Sequence, residues 1–178
     1  MDRKAFIKKW TPSPLTLILL GLVVWLWFRP PAKVSDEDRA APPWQTVATD
    51  GRTVGSASLK GRVVLVNFWA TWCPYCRKEM PAIDRFWRDY RGKGVEVVAI
   101  SVDDPPEKIA AWMKDKGYAF AAAPTDASVT AAFGDIQTVP TSFIVDADGH
   151  IRHKISGQVY YGRLEKLIVP LLPRTHAP

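Results

Sequence analysis

The chain has 178 residues, is 47% hydrophobic and 24% charged, and carries a formal net charge of +6. That length suits one globular domain with appendages, and two cysteines are too few for a disulfide scaffold. Half of the net charge falls in residues 1–9, where Arg3, Lys4, Lys8 and Lys9 stand against Asp2; the rest of the chain has no Lys/Arg stripe interleaved with aromatics, which argues against nucleic acid as a partner.

From Trp10 to Phe28 there is no charged residue. As a helix this run reaches roughly 28 Å, close to the ~30 Å of a bilayer's hydrocarbon core. The lysines before it predict a cytoplasmic tail over 1–9 and export of the chain beyond residue 28, and Trp25 and Trp27 suit an interfacial aromatic belt. A cleaved signal peptide competes with this reading. However, the exit sequence FRPPAKVSDE has no small-x-small site directly after the apolar run. The expectation is therefore a single-pass anchor over 10–28 in the inner or plasma membrane, with the domain in the periplasm or otherwise outside the cytoplasm. Residues 29–43, rich in Pro, Ala and charge, read as an extended solvated linker.

The folded domain is expected over 44–172, with a short tail at 173–178. WQTVATDGRTV predicts a hairpin around Asp50-Gly51. VVLVNFW, residues 63–69, reads as a strand buried on both faces. A helix is expected from Pro74 to Tyr90, with Met80, Ile83, Trp87 and Tyr90 on one face and Gly92 and Gly94 ending it. VEVVAISV is a second buried strand, and 105–117 a helix opened by prolines and closed by Gly117. After a short helix, TSFIVD and HIRHKIS flank Ala147-Asp148-Gly149 as a hairpin. YGRLEKLIVPLL ends the domain as a helix. This order implies an α/β fold, a mixed sheet with helices on both faces.

Both cysteines, Cys73 and Cys76, lie in NFWATWCPYCRKEMP. A bridge across so few residues removes little unfolded-state entropy, so the pair points to redox chemistry. They fall where the buried strand turns into a helix. The unsatisfied N–H groups and partial positive charge of that helix start stabilise a thiolate on Cys73 and lower its pKa. Pro74 costs no hydrogen bond in the first turn. Cys73, ahead of the turn, is expected to face solvent and to exchange with a partner disulfide. Cys76, inside the turn, is expected to be sheltered and to resolve the mixed disulfide.

A strand ending in Phe-Trp-Ala, then Trp-Cys-x-x-Cys and a helix with Pro81, resembles thioredoxins. LKGRVVLVNFWATWCPYCRKEMP resembles more narrowly the membrane-anchored TlpA/ResA-type thiol–disulfide oxidoreductases. The likeness spans about 44–170. It implies a thioredoxin-like fold with an N-terminal hairpin extension and a helix-and-strand insert over 105–123. It also implies a cis Val139–Pro140 bond opposite the cysteines, with the Val139 backbone open to a substrate strand. Asn67 stands where thioredoxins carry a buried Asp, which removes that proton acceptor. Glu79 matches an acid of the ResA-like proteins and can take the proton of Cys76 if burial raises its pKa. Trp72, Pro74 and Tyr75 are expected to shape the substrate surface, and Trp69 to be a wall of the site. The histidines His150 and His153 read as solvated hairpin residues.

The expected function is reduction of specific protein disulfides, for example in cytochrome c maturation or copper-site assembly. A reductant in an oxidising compartment needs a membrane thiol partner that relays electrons. No cofactor or metal is expected beyond the Cys73–Cys76 disulfide itself, and the protein is expected to be a monomer. An oxidant or isomerase role is an alternative, as is a Cu(I) metallochaperone, since CxxC alone can hold Cu(I). A peroxidase of the peroxiredoxin type is disfavoured, because Val66 and Ala70 replace the proline and threonine of that motif.

Overall fold

The computed structural model describes residues 13–27 and 33–173. Two compact units divide at residue 31. In the first, Pro14–Trp27 forms the apolar helix α1. No helix among the described residues is long and apolar enough to cross a membrane. The ends of the expected anchor, 10–12 and 28, lie outside the described residues, as do 1–9, 29–32 and 174–178.

The second unit is built on a six-stranded sheet in the order β1-β8-β7-β4-β5-β6. Its strands are β1 (Lys33–Ala40), β4 (Val63–Trp69), β5 (Val95–Ser101), β6 (Ala121–Pro124), β7 (Thr141–Val145) and β8 (His150–Ser156). Strands β4, β5 and β6 run parallel, whereas β7 and β8 pair antiparallel to their neighbours. The expected early hairpin is present as β2 (Gln45–Val47) and β3 (Thr53–Gly55), a separate two-stranded sheet. A Cβ at Gly55 would collide with the Trp44 carbonyl oxygen, so only glycine allows this close approach.

β4 occupies the sheet centre and is buried along its whole length. Alternation sends Val64, Val66 and Phe68 to one face, where Trp44, Phe133 and Phe143 meet them. Val63, Leu65 and Trp69 point to the other, against α2 (Pro74–Tyr90), α3 (Pro106–Lys116) and α5 (Tyr161–Ile168). The short helix α4 (Ala127–Phe133) and the β2–β3 hairpin cover the first face. Helices therefore lie on both sides, as expected. The helix-and-strand insert corresponds to α3 and β6. Gly94 and Gly117 take left-handed φ of 90° and 67° where the helical segments before them end.

One segment differs from expectation. Residues 33–40, read as solvated linker, form edge strand β1 on β8. Side-chain contacts across the edge favour this placement: Asp36 hydrogen-bonds His153 Nδ1 at 2.8 Å and Asp38 forms an ion pair with Arg152 at 2.8 Å. His153 is thus a hydrogen-bond partner of the edge strand. A charged and bulged edge strand also discourages pairing with other chains.

Candidate active site

The reactive turn sits at the C-terminal end of β4. Cys73 is the N-cap of α2, with φ −77° and ψ 114°, and Pro74 opens the helix. Cys73 and Cys76 are joined as a disulfide. The Cys76 backbone N–H donates to Cys73 Sγ at 3.2 Å, so a first-turn amide points at this sulfur. The Val139–Pro140 bond is cis, as the resemblance implied. The Val139 carbonyl oxygen lies 3.9 Å from Cys73 Sγ. This loop covers the sulfur more closely than the sequence suggested. Cys73 is 3% exposed and Cys76 0%, so Cys73 is sheltered too. Only Trp72 (57%) and Tyr75 (44%) stand out into solvent as large apolar side chains around the turn. Trp69 is fully buried and packs on Trp112, with ring centroids 4.7 Å apart. It is core rather than a wall of the opening.

Glu79 lies on the apolar face of α2 with Cys76, Met80, Ile83, Phe86 and Trp87, because residues three or four apart share a helix face. It is completely buried. Its Oε1 accepts from Asn67 Nδ2 at 2.8 Å and its Oε2 from the Val159 backbone N–H at 2.8 Å. Burial pushes its pKa up to about 8, against the lowering effect of the Val159 N–H and the Asn67 amide. The alternation that turns Trp69 toward α2 turns Asn67 the same way, so the residue replacing the thioredoxin Asp supports the carboxyl of Glu79. Asn67 Nδ2 also donates to Ser142 Oγ at 3.0 Å, while its buried Oδ1 has no partner.

A second group, Asp103 and Asp104, was not singled out from the sequence. Asp104 is buried and accepts the Thr71 N–H at 2.7 Å, the Thr71 hydroxyl at 2.7 Å and the Ser101 hydroxyl at 2.9 Å. Lys108 donates to it at 2.6 Å. Burial pushes its pKa upward, but Lys108, Thr71 and Ser101 outweigh this and hold it at about 2. Trp72 Nε1–H donates to Asp103 at 2.8 and 3.0 Å. A pair of adjacent acids after β5 thus grips the two residues before Cys73. Among the described residues no group of three His, Cys, Asp or Glu gathers as a metal site.

The arrangement can exchange a disulfide: a sulfur under an amide, a second sulfur behind it, and a buried carboxyl on the same helix. The family model described as Redoxin matches residues 35–167, beginning inside β1. The thiol–disulfide oxidoreductase ResA of Bacillus cereus is 30% identical over 135 residues, covering 76% of this chain and 78% of that protein. ResA of Bacillus subtilis is 32% identical over 122 residues, covering 68% of each. The crystal structure of a thiol:disulfide interchange protein of the thioredoxin family from Chlorobium tepidum TLS matches with a TM-score of 0.72 at 30% identity, covering 78% of this chain and 99% of that one. Motif, fold and relatives agree that the chain belongs to the Redoxin family and is a ResA-like, thioredoxin-fold thiol–disulfide oxidoreductase.

Proposed function

We propose that the protein reduces specific protein disulfides outside the cytoplasm, held to the membrane by its N-terminal segment. Cytochrome c maturation and copper-site assembly are the settings this reading favours. The observation that carries it is the Cys73–Cys76 pair at the start of α2, with the Cys76 N–H on Cys73 Sγ and Glu79 buried on the same helix face. The uncharged run from Trp10 to Phe28 supports the anchor.

In the reduced protein the Cys73 thiolate attacks one sulfur of a substrate disulfide. A Cys73–substrate disulfide forms and one substrate thiolate leaves. Cys76 then gives its proton to Glu79 and attacks Cys73 Sγ. The Cys73–Cys76 disulfide closes, the second substrate thiolate leaves, and two electrons have passed to the substrate. A thiol partner in the membrane restores the dithiol. Trp72, Pro74 and Tyr75 border the approach, and the backbone of Val139, before cis Pro140, meets the substrate strand. The protein works as a monomer and needs no further cofactor.

Equilibration with glutathione buffers, followed by tryptophan fluorescence, tests the direction. A potential near about −250 mV or below is expected, close to thioredoxin. One near about −120 mV, as for DsbA, would instead assign the protein as an oxidant.

A further inference from the structure

Trp72 is the largest apolar side chain exposed beside the disulfide, at 57%. An indole in water would ordinarily sample several rotamers. Here its N–H is held by both carboxylate oxygens of Asp103, at 2.8 and 3.0 Å. Asp103 is itself exposed, but the backbone that carries it has little freedom. Its neighbour Asp104 is locked from four sides by the Thr71 N–H, the Thr71 hydroxyl, the Ser101 hydroxyl and Lys108. The Asp104 N–H adds a fifth bond to Ser101 Oγ at 3.2 Å. Pro105 and Pro106 come next in the chain and restrict the backbone further. The Asp103 carboxylate is thus presented from a rigid loop.

We infer that Asp103 is a positioning residue for substrate selection, holding Trp72 as a preformed wall beside Cys73 so that a protein substrate docks without first ordering the indole. This rests on the proposed function, in which Trp72 meets the protein substrate. Ordering a side chain before binding removes part of the cost of association. The benefit falls on docking rather than on sulfur chemistry, because Asp103 bonds to the indole and not to either sulfur. A small disulfide, which needs no wall, should gain little from it. Two properties of Asp103 can be separated. As a hydrogen-bond acceptor it orients Trp72; as a negative charge it opposes a thiolate on Cys73. Asn keeps the acceptor and removes the charge, and Ala removes both.

The test uses the full chain in its reduced form, with a peptide bridged across a Cys-x-x-Cys segment as the protein-like disulfide and dithiobis(nitrobenzoate) as the small one. Asp103→Ala is expected to raise KM for the peptide roughly two- to tenfold with kcat little changed, and to affect the small disulfide less. Asp103→Asn is expected to restore the peptide KM. In a Trp72→Phe background, which lacks the N–H, Asp103→Ala should add nothing. Equal effects of Asn and Ala would make Asp103 a charge rather than a positioner and overturn the inference. So would an unchanged peptide KM in Asp103→Ala when Trp72→Ala raises it. If Trp72→Ala itself leaves the peptide KM unchanged, the docking role of Trp72 fails and the inference falls with it.

Discussion

Replacing Cys76 with Ser is expected to leave substrate proteins bound covalently to Cys73, whereas replacing Cys73 with Ser should lower exchange by about a thousandfold or more. The asymmetry comes from position rather than exposure, since the residues are 3% and 0% exposed. Cys73 caps α2 and receives the Cys76 N–H. Cys76 lies within the first turn on the buried face with Glu79 and Met80. A nucleophile at the cap has a stabilised thiolate and the substrate loop in front of it; one turned into the core has neither. Without Cys76, nothing reopens the mixed disulfide from inside. Non-reducing electrophoresis after exposure to a bridged peptide reads both variants. Adducts on Cys73→Ser but not on Cys76→Ser would reverse the two roles.

The second large effect concerns Glu79. Its folded pKa of about 8 lies well above its ordinary value. The folded state therefore keeps a proton that the unfolded chain releases. Stability is unaffected below the unfolded pKa of about 4.3. It falls as pH rises toward about 8, by about 1.4 kcal/mol per pH unit across that window. Glu79→Gln removes the titration, so its stability should stay nearly flat over the same range. A Gln oxygen can still accept from the Val159 N–H, and an Asn67 amide turned over can accept from its nitrogen. Denaturant unfolding at pH 5 and pH 8.5 checks this; an equal fall in stability in both proteins would contradict it. The same substitution should slow closure of the Cys73–Cys76 bond by roughly a hundredfold, the lower end of what a positioned base contributes. It should also erase the rise in closure rate near pH 8. Stopped-flow decay of a preformed mixed disulfide measures that step. An unchanged pH profile would exclude Glu79 as the acceptor.

Glu79 and Asn67 were singled out through resemblance, and local geometry explains why the fold brings them together. Three residues from Cys76 puts Glu79 on the same helix face, and two residues from Trp69 puts Asn67 on the same side of β4. The cis bond at Pro140 likewise came through resemblance, since nothing local distinguishes TVPTSF from an ordinary turn. β1 was misread because KVSDEDRA has the composition of a solvated segment. Its pairing depends on Asp36 and Asp38 meeting His153 and Arg152, 117 and 114 residues away. The Asp103–Asp104 grip was invisible for a similar reason. It joins loops 31 and 33 residues apart, and only the adjacency of β4 and β5 brings them together. The cover on Cys73 was missed because it comes from the Val139 carbonyl, 66 residues further along the chain.

The measurement that bears most directly on the mechanism is the pH dependence of Cys73 alkylation in reduced Cys76→Ser, where a single thiol reports. The helix-start amides predict a rate midpoint at least about one unit below the ~8.5 of free cysteine. A midpoint at or above about 8.5 would mean that the amides beneath Cys73 do not hold its sulfur ionised, and the proposed attack would lose its basis.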